Sequence, residues 1–216
     1  MNNPSPVRVW DILIRLFHWT LVLSFIVAYL TSEEDNPWHI YSGYTVLGLI
    51  IFRLIWGFIG SRHARFSDFV RPPTVVYQYI KSLSAGQPPH YIGHNPLGGW
   101  MVMAMLITLF AVTLSGLKVY AIEEGKGPLA NLQFIELTPV PAAYAEDESE
   151  DDDNEEGNAG PESSEADEEF WEEVHEASTN VMLLLIGLHL AGVVISSRLH
   201  KENLVKAMLT GKKDSL

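Results

Sequence analysis

The sequence predicts an all-α membrane protein: a bundle of four transmembrane helices. Two observations carry this. First, 47% of the 216 residues are hydrophobic, and they gather in four blocks, Ile12–Thr31, Ile40–Ile59, Trp100–Tyr120 and Thr179–Ser196. Second, each block is about 20 residues long, the length a helix needs to cross a hydrocarbon core of about 30 Å. A helix satisfies its own backbone polar groups, which is why a chain in lipid takes this form.

The first block carries Arg15 and His18. It is too long for a signal-peptide core and too polar at those points, so it is expected to remain as a membrane span. The second block carries Arg53 near its far end. Ionisable groups inside lipid are costly and each is a functional candidate, although an arginine near an interface can also snorkel. The third block carries one charge, Lys118, near its far end. The fourth contains His189 and is entered through a carboxylate-rich stretch that ends near His175.

Between the blocks the charges sort by sign. Twelve of the 14 lysines and arginines fall at the N-terminal end, around blocks two and three, or at the C-terminus; only Lys118 and Lys126 do not. The positive-inside rule then places both termini and the 61–99 loop in the cytoplasm. The 32–38 turn and the long 121–175 connection face outward. The expected organisation is residues 1–120 with helices one to three, an acidic disordered insert over 121–174, and residues 175–216 with helix four and a basic tail. From Glu146 to Glu173 the insert is mostly Asp, Glu, Ser, Gly and Asn, and it supplies most of the net charge of −13. Such a segment cannot bury enough apolar surface to order itself. It reads either as a solvated spacer or as an electrostatic lure for a basic partner outside.

Several classes are excluded. There is no cysteine, hence no disulfide, no cysteine-ligated iron–sulfur cluster and no covalently attached c-type haem. No glycine-rich nucleotide motif is present. A nucleic-acid partner is not expected.

The histidines carry the chemistry. At about 1.5 Å per residue, His18 lies roughly 12 Å from the cytoplasmic end of its helix and His189 roughly 10 Å from the same end of its own. His39 and His175 share a second depth near the outer face. His175 and His189 are 14 residues apart, close to four helical turns, so both point to one side of helix four, about 21 Å apart. A single such histidine could be an interface residue or be hydrogen-bonded in the bundle. Two pairs at matched depths suit axial ligands of two b-type haems. Gly43, Gly187 and Gly192 near these ligands would give a porphyrin flat space, or simply allow close helix packing. A zinc or copper path would usually add acidic or sulfur ligands within the helices, and these are missing.

Four stretches, "RLFHWTLV" at Arg15–Val22, the run from His39 to Val70, "GHNPLGGWMV" at Gly93–Val102 and the run from Leu188 to Lys213, closely resemble the bacterial cytochrome b561 family, which includes the b-type subunits of nickel–iron hydrogenases. The resemblance implies four membrane helices, two b haems and quinone-linked electron transfer. It implies His18, His39, His175 and His189 as axial ligands, paired His18 with His189 and His39 with His175. It places a quinone by the cytoplasmic haem at the start of helix three, where His94, Asn95 and Gly98 stand, with His94 as a proton carrier titrating near neutrality. Pro96-Leu97 between Asn95 and Gly98 departs from the pattern. Arg15 and Arg53 are candidates for the haem propionates. The partner outside is expected to be a c-type cytochrome, or alternatively a hydrogenase or dehydrogenase that this subunit anchors to the membrane and whose electrons it passes to quinone.

Overall fold

The computed structural model describes residues 7–32, 36–130 and 161–213. Its order is β1 (Val7–Arg8), α1 (Ile12–Leu30), α2 (Pro37–Ile59), a 3₁₀ turn at Arg62–Ala64, α3 (Phe66–Phe69), α4 (Pro73–Ser84), α5 (Pro96–Glu124), α6 (Pro161–Leu199), α7 (Leu204–Thr210) and β2 (Lys212–Lys213). Four of these, α1, α2, α5 and α6, are long and apolar enough to cross a membrane. The chain divides into two compact units: Met1–Thr113 with Ser178–Leu216, and Leu114–Ala177.

In the first unit the four spanning helices meet in one apolar cluster. Val46 and Ile50 of α2, Leu109 of α5 and Met182 of α6 are buried there, with Leu21 and Phe25 of α1 and Ile186 of α6 packed against them. On α2 the buried residues are Ser42, Val46, Ile50, Arg53 and Gly57, a stripe at intervals of three and four. Large apolar side chains such as Ile12, Leu16, Leu23, Leu54, Phe58, Leu184 and Leu190 point outward. On a spanning helix that is the surface lipid covers. Ser42 and Thr113, polar but inside, return their hydroxyls to carbonyls one turn back in their own helices.

The helix ends have identifiable causes. Asp11 caps α1, accepting from the Ile14 amide at 2.9 Å. Asn36 caps α2 with Pro37 following it. Asn203 caps α7, accepting from the Lys206 amide at 2.8 Å. α7 stops at Gly211, whose φ of 78° is left-handed and whose carbonyl accepts from the amides of Val9 and Trp10. The antiparallel pairing of Val7 with Lys213 and Arg8 with Lys212 closes the two ends of the chain on each other. The 61–99 region joins the same assembly. Asp11 accepts from Ser61 Oγ and, at 3.2 Å, from Trp56 Nε1. Glu202 takes both Lys213 Nζ at 2.9 Å and His90 Nε2 at 2.5 Å.

Three expectations change. The 61–99 loop holds short helices, and the basic tail is a capped helix plus a two-residue strand, because each finds a partner at the basic end of the bundle. The third span is longer than Trp100–Tyr120, running from Pro96 to Glu124. The fourth helix starts at Pro161 rather than near His175, so the expected disorder does not hold over 161–174. That stretch is rich in Glu, a good helix former; its acids sit at a helix N-terminus, and the apolar span supplies the nucleus from which it propagates. The expectation for residues 131–160 lies outside the described residues.

Asp11 ties α1 to the end of α2. Burial pushes its carboxyl upward, but hydrogen bonds from Ser61, the Ile14 amide, Trp56 and the Leu13 amide outweigh this and hold it below the ordinary carboxylate value. A carboxylate depressed in the fold stabilises above its unfolded pKa, and that contribution is lost as pH falls through the folded value. Asp11→Ala is expected to cost about 2 kcal/mol of thermal stability at neutral pH. The gap between variant and wild type should narrow on acidification below the ordinary Asp range, as read by melting curves in detergent.

Candidate functional site

The first unit brings two of the four candidate histidines close. His18 on α1 and His189 on α6 are near enough for their charges to interact. His18 Nδ1 is buried with no hydrogen-bond partner, and its ring meets Trp19 edge-on at 5.0 Å. Along α2 and α6 there is room beside such a pair. A Cβ built on Gly43, Gly48, Gly187 or Gly192 meets nothing within 4 Å. Glycines kept for tight helix packing would instead be filled in, as Gly57 is by the Phe66 ring and Gly99 by the Phe69 carbonyl. An orphaned imidazole nitrogen and glycines facing open space fit a flat group ligated by histidine.

His39 and His175 are each oriented within their own unit. His39 stands in the first turn of α2, and its Nδ1 lies 2.9 Å from the Ala28 carbonyl of α1. A carbonyl only accepts, so Nδ1 carries the proton and Nε2 the lone pair a metal would use. In the second unit His175 Nδ1 lies 3.1 Å from Ser115 Oγ on α5. The hydroxyl can accept from Nδ1–H, an arrangement that leaves Nε2 the lone pair a metal would use. Gly116 makes room for this ring: a Cβ there would lie 2.9 Å from His175 Cε1. Ser115 and Gly116 were not singled out from the sequence. A serine and a glycine side by side in an apolar span are the only trace of them there.

The remaining candidates divide. Arg53 is buried, at 3% exposure, and its Nη1 has no hydrogen-bond partner. Its guanidinium lies 4.8 Å from the centroid of Phe66 and 5.6 Å from that of Phe69. It therefore does not snorkel. Arg15 is taken up by the terminal clasp: its Nη2 donates to the Leu209 carbonyl near the end of α7, although its Nε is buried without a partner. Asn95 caps α5, with Oδ1 accepting from the Gly98 amide at 2.7 Å. Both residues are thus committed first to the helix start. His94 packs against Trp10 at 4.7 Å and Phe69 at 4.9 Å, with Nδ1 buried and unpartnered. Burial pushes its imidazole down to about 3, with Arg53, His189 and Lys213 adding to the effect and Asp68 opposing it. The expectation that His94 titrates near neutrality therefore does not hold; the ring is neutral there because its surroundings are apolar and cationic.

A four-span helical membrane protein that brings two histidines of its spans close, one with an unpartnered ring nitrogen, fits the class of haem-binding membrane cytochromes. Comparison with known proteins gives the particular family. The sequence model of prokaryotic cytochrome b561 matches residues 9–211, and the chain belongs to that family. The chain is 28% identical over 171 residues to a protein of Azotobacter chroococcum mcd 1 named "Probable Ni/Fe-hydrogenase B-type cytochrome subunit". It is 27% identical over 171 residues to one of the same name from Azotobacter vinelandii. Each alignment covers 65% of this chain and 70% of the relative. No solved structure matches the chain. The protein is a multi-pass membrane b-type cytochrome, and its work is electron transfer with haem b.

Gly116→Val would force the His175 ring out of its place. The expected result is haem content lowered by one haem per chain with the protein still inserted and folded, checked by haem extraction against protein concentration.

Proposed function

We propose that this chain is a di-haem cytochrome b of the bacterial inner membrane, carrying electrons between the quinone pool on the cytoplasmic side and a redox partner outside. The observation that carries the reading is the proximity of His18 and His189 beside open, glycine-lined space. His18 with His189 would hold one haem, and His39 with His175 the other, each imidazole ligating through one ring nitrogen. The Nδ1 contacts of His39 with Ala28 and of His175 with Ser115 support this: both orient the ring, and the Ala28 carbonyl also sets the His39 tautomer. Haem b when bound supplies a one-electron centre; the protein's part is to place one such centre at each depth and exclude water around it.

The orientation rests on charge. Both chain ends and the 61–99 segment assemble at one end of the first unit, and that end carries Arg8, Arg62, Arg65, Lys206 and Lys212. Placing it in the cytoplasm satisfies the positive-inside rule. His94, with the amide of Asn95 and the backbone at Gly98, marks the quinone end.

For the outer partner we favour a c-type cytochrome with a basic face. Glu165, Glu169, Glu172, Glu173 and Glu176 are exposed along the start of α6, continuing the acidic sequence that precedes it. Such a surface steers a cation-faced partner. The second reading is the b-type subunit and anchor of a hydrogenase or dehydrogenase, electrons then flowing into quinone. The names of the Azotobacter relatives favour it.

His189→Ala is expected to remove the inner haem and leave the outer, so that haem per chain falls from two to one while the reduced alpha band stays near roughly 560 nm. Loss of both, or of neither, would refute the pairing. Deleting residues 146–160 removes nine carboxylates. It should slow electron transfer to a basic c-type cytochrome by about tenfold at low salt and flatten the salt dependence. An unchanged rate in stopped-flow measurements would favour the hydrogenase-type partner.

A further inference from the structure

The fourth span ends in a turn that folds the chain back on it. Arg198 stands in the last turn of α6, which stops at Leu199. A Schellman turn follows: the Glu202 amide donates to the Ser197 carbonyl at 3.0 Å, with Lys201 left-handed at a φ of 53°. α7 then lies beside the end of α6. Its inner face is used, since Ala207 is buried with Val9, Trp10 and Ile14. Its outer face is apolar and exposed, at Val205 and Leu209 one turn apart.

A groove of about 320 Å³ lies between the two helices. Val193, Val194 and Val205 line one part of it, and Ser197, Arg198 and Asn203 another. Leu190, Val194 and Arg198 are spaced four apart and all are exposed, so an apolar stripe on the span ends at a guanidinium. The charge around the groove is positive. Arg198, Lys201, Lys206 and Lys212 are exposed. None of the ion pairs among the described residues includes them. The carboxylate that lines the groove, Glu202, is already taken by Lys213 Nζ at 2.9 Å and His90 Nε2 at 2.5 Å.

These two halves select the occupant. Val193 and Val194 belong to a membrane span, so whatever covers them has an apolar part that reaches into the bilayer. Arg198 and the lysines stand where the span ends, so its other part is an anion at the membrane surface. We propose that the groove between α6 and α7 holds one anionic phospholipid, with its phosphate against Arg198 and an acyl chain along Val193, Val194 and Val205. Ser197 and Asn203 add polar contacts beside the phosphate. The surrounding lysines favour a head group of net negative charge over a zwitterionic one. The proposal goes beyond the electron-transfer reading and does not depend on it.

The test uses the full chain, purified in detergent with its haem. Native mass spectrometry counts the lipids that stay bound during titration with phosphatidylglycerol or with phosphatidylcholine. Wild type is expected to retain one phosphatidylglycerol, and to hold it at least about fivefold more tightly than phosphatidylcholine. Arg198→Gln should weaken phosphatidylglycerol by about fivefold and leave phosphatidylcholine unchanged. Val205→Asn should weaken both lipids, which attraction to surface charge alone would not produce. Both side chains are exposed, so both variants are expected to fold. Equal retention of the two lipids overturns the proposal, as does phosphatidylglycerol binding that either substitution leaves unchanged; the groove is then ordinary lipid-covered surface. Displacement of the lipid by inorganic phosphate overturns it in favour of a plain anion site. A dimer that dissociates in Val205→Asn overturns it in favour of a second copy of this chain.

Discussion

Inside a bilayer there is no water to complete a hydrogen bond, and the structure follows from that shortage. Backbone groups are satisfied by the helices themselves. Side-chain hydroxyls at Ser42 and Thr113 turn back on their own helices. Among the described residues a small set of buried groups remains that no neighbour completes, among them His18 Nδ1, Arg53 Nη1 and, just outside the span, His94 Nδ1. In a soluble protein such groups could be excused by solvent. Inside lipid each such group is costly, which makes each a candidate to meet a bound group.

The same end of the molecule is also the most heavily tied. Asp11 links α1 to the end of α2, Gly211 receives the N-terminal strand, and Glu202 holds His90 and Lys213. These contacts are polar and partly wet, unlike the apolar cluster of Val46, Ile50, Leu109 and Met182 deeper in. The division suits the work. Apolar packing sets the depth of the ligand helices, and the polar clasp holds the 62–69 segment down over Arg53. Neighbouring glycines show both uses of a missing side chain: Gly57 and Gly99 admit a close approach, whereas Gly43, Gly48, Gly187 and Gly192 border open space.

Membership of the prokaryotic cytochrome b561 family and the four spans together make this a membrane b-type cytochrome. The end of its acidic connection is helical from Pro161 and continues as one helix into the fourth span. A rigid, negatively charged approach to His175 is a different object from a loose charged loop. It fixes where the carboxylates stand relative to that histidine.

Much of this was legible without coordinates. Block length alone determined the four spans, because the hydrocarbon thickness is a fixed ruler. Helical rise sets the depth expected of each histidine along its own helix, because 1.5 Å per residue needs no tertiary information. Tertiary structure decided what depends on contacts between residues far apart in sequence. Arg15 serves the terminal clasp because Leu209 happens to fold beneath it. Arg53 is caged rather than snorkelling because Phe66 and Phe69 close over it. His94 is neutral because burial, with the distant cations Arg53 and Lys213, disfavours its charge, and Ser115 and Gly116 matter because His175, sixty residues on, lies against them. Periodicity carries one-dimensional information about depth and face; the surroundings of a charge are set by neighbours that only the folded chain brings together.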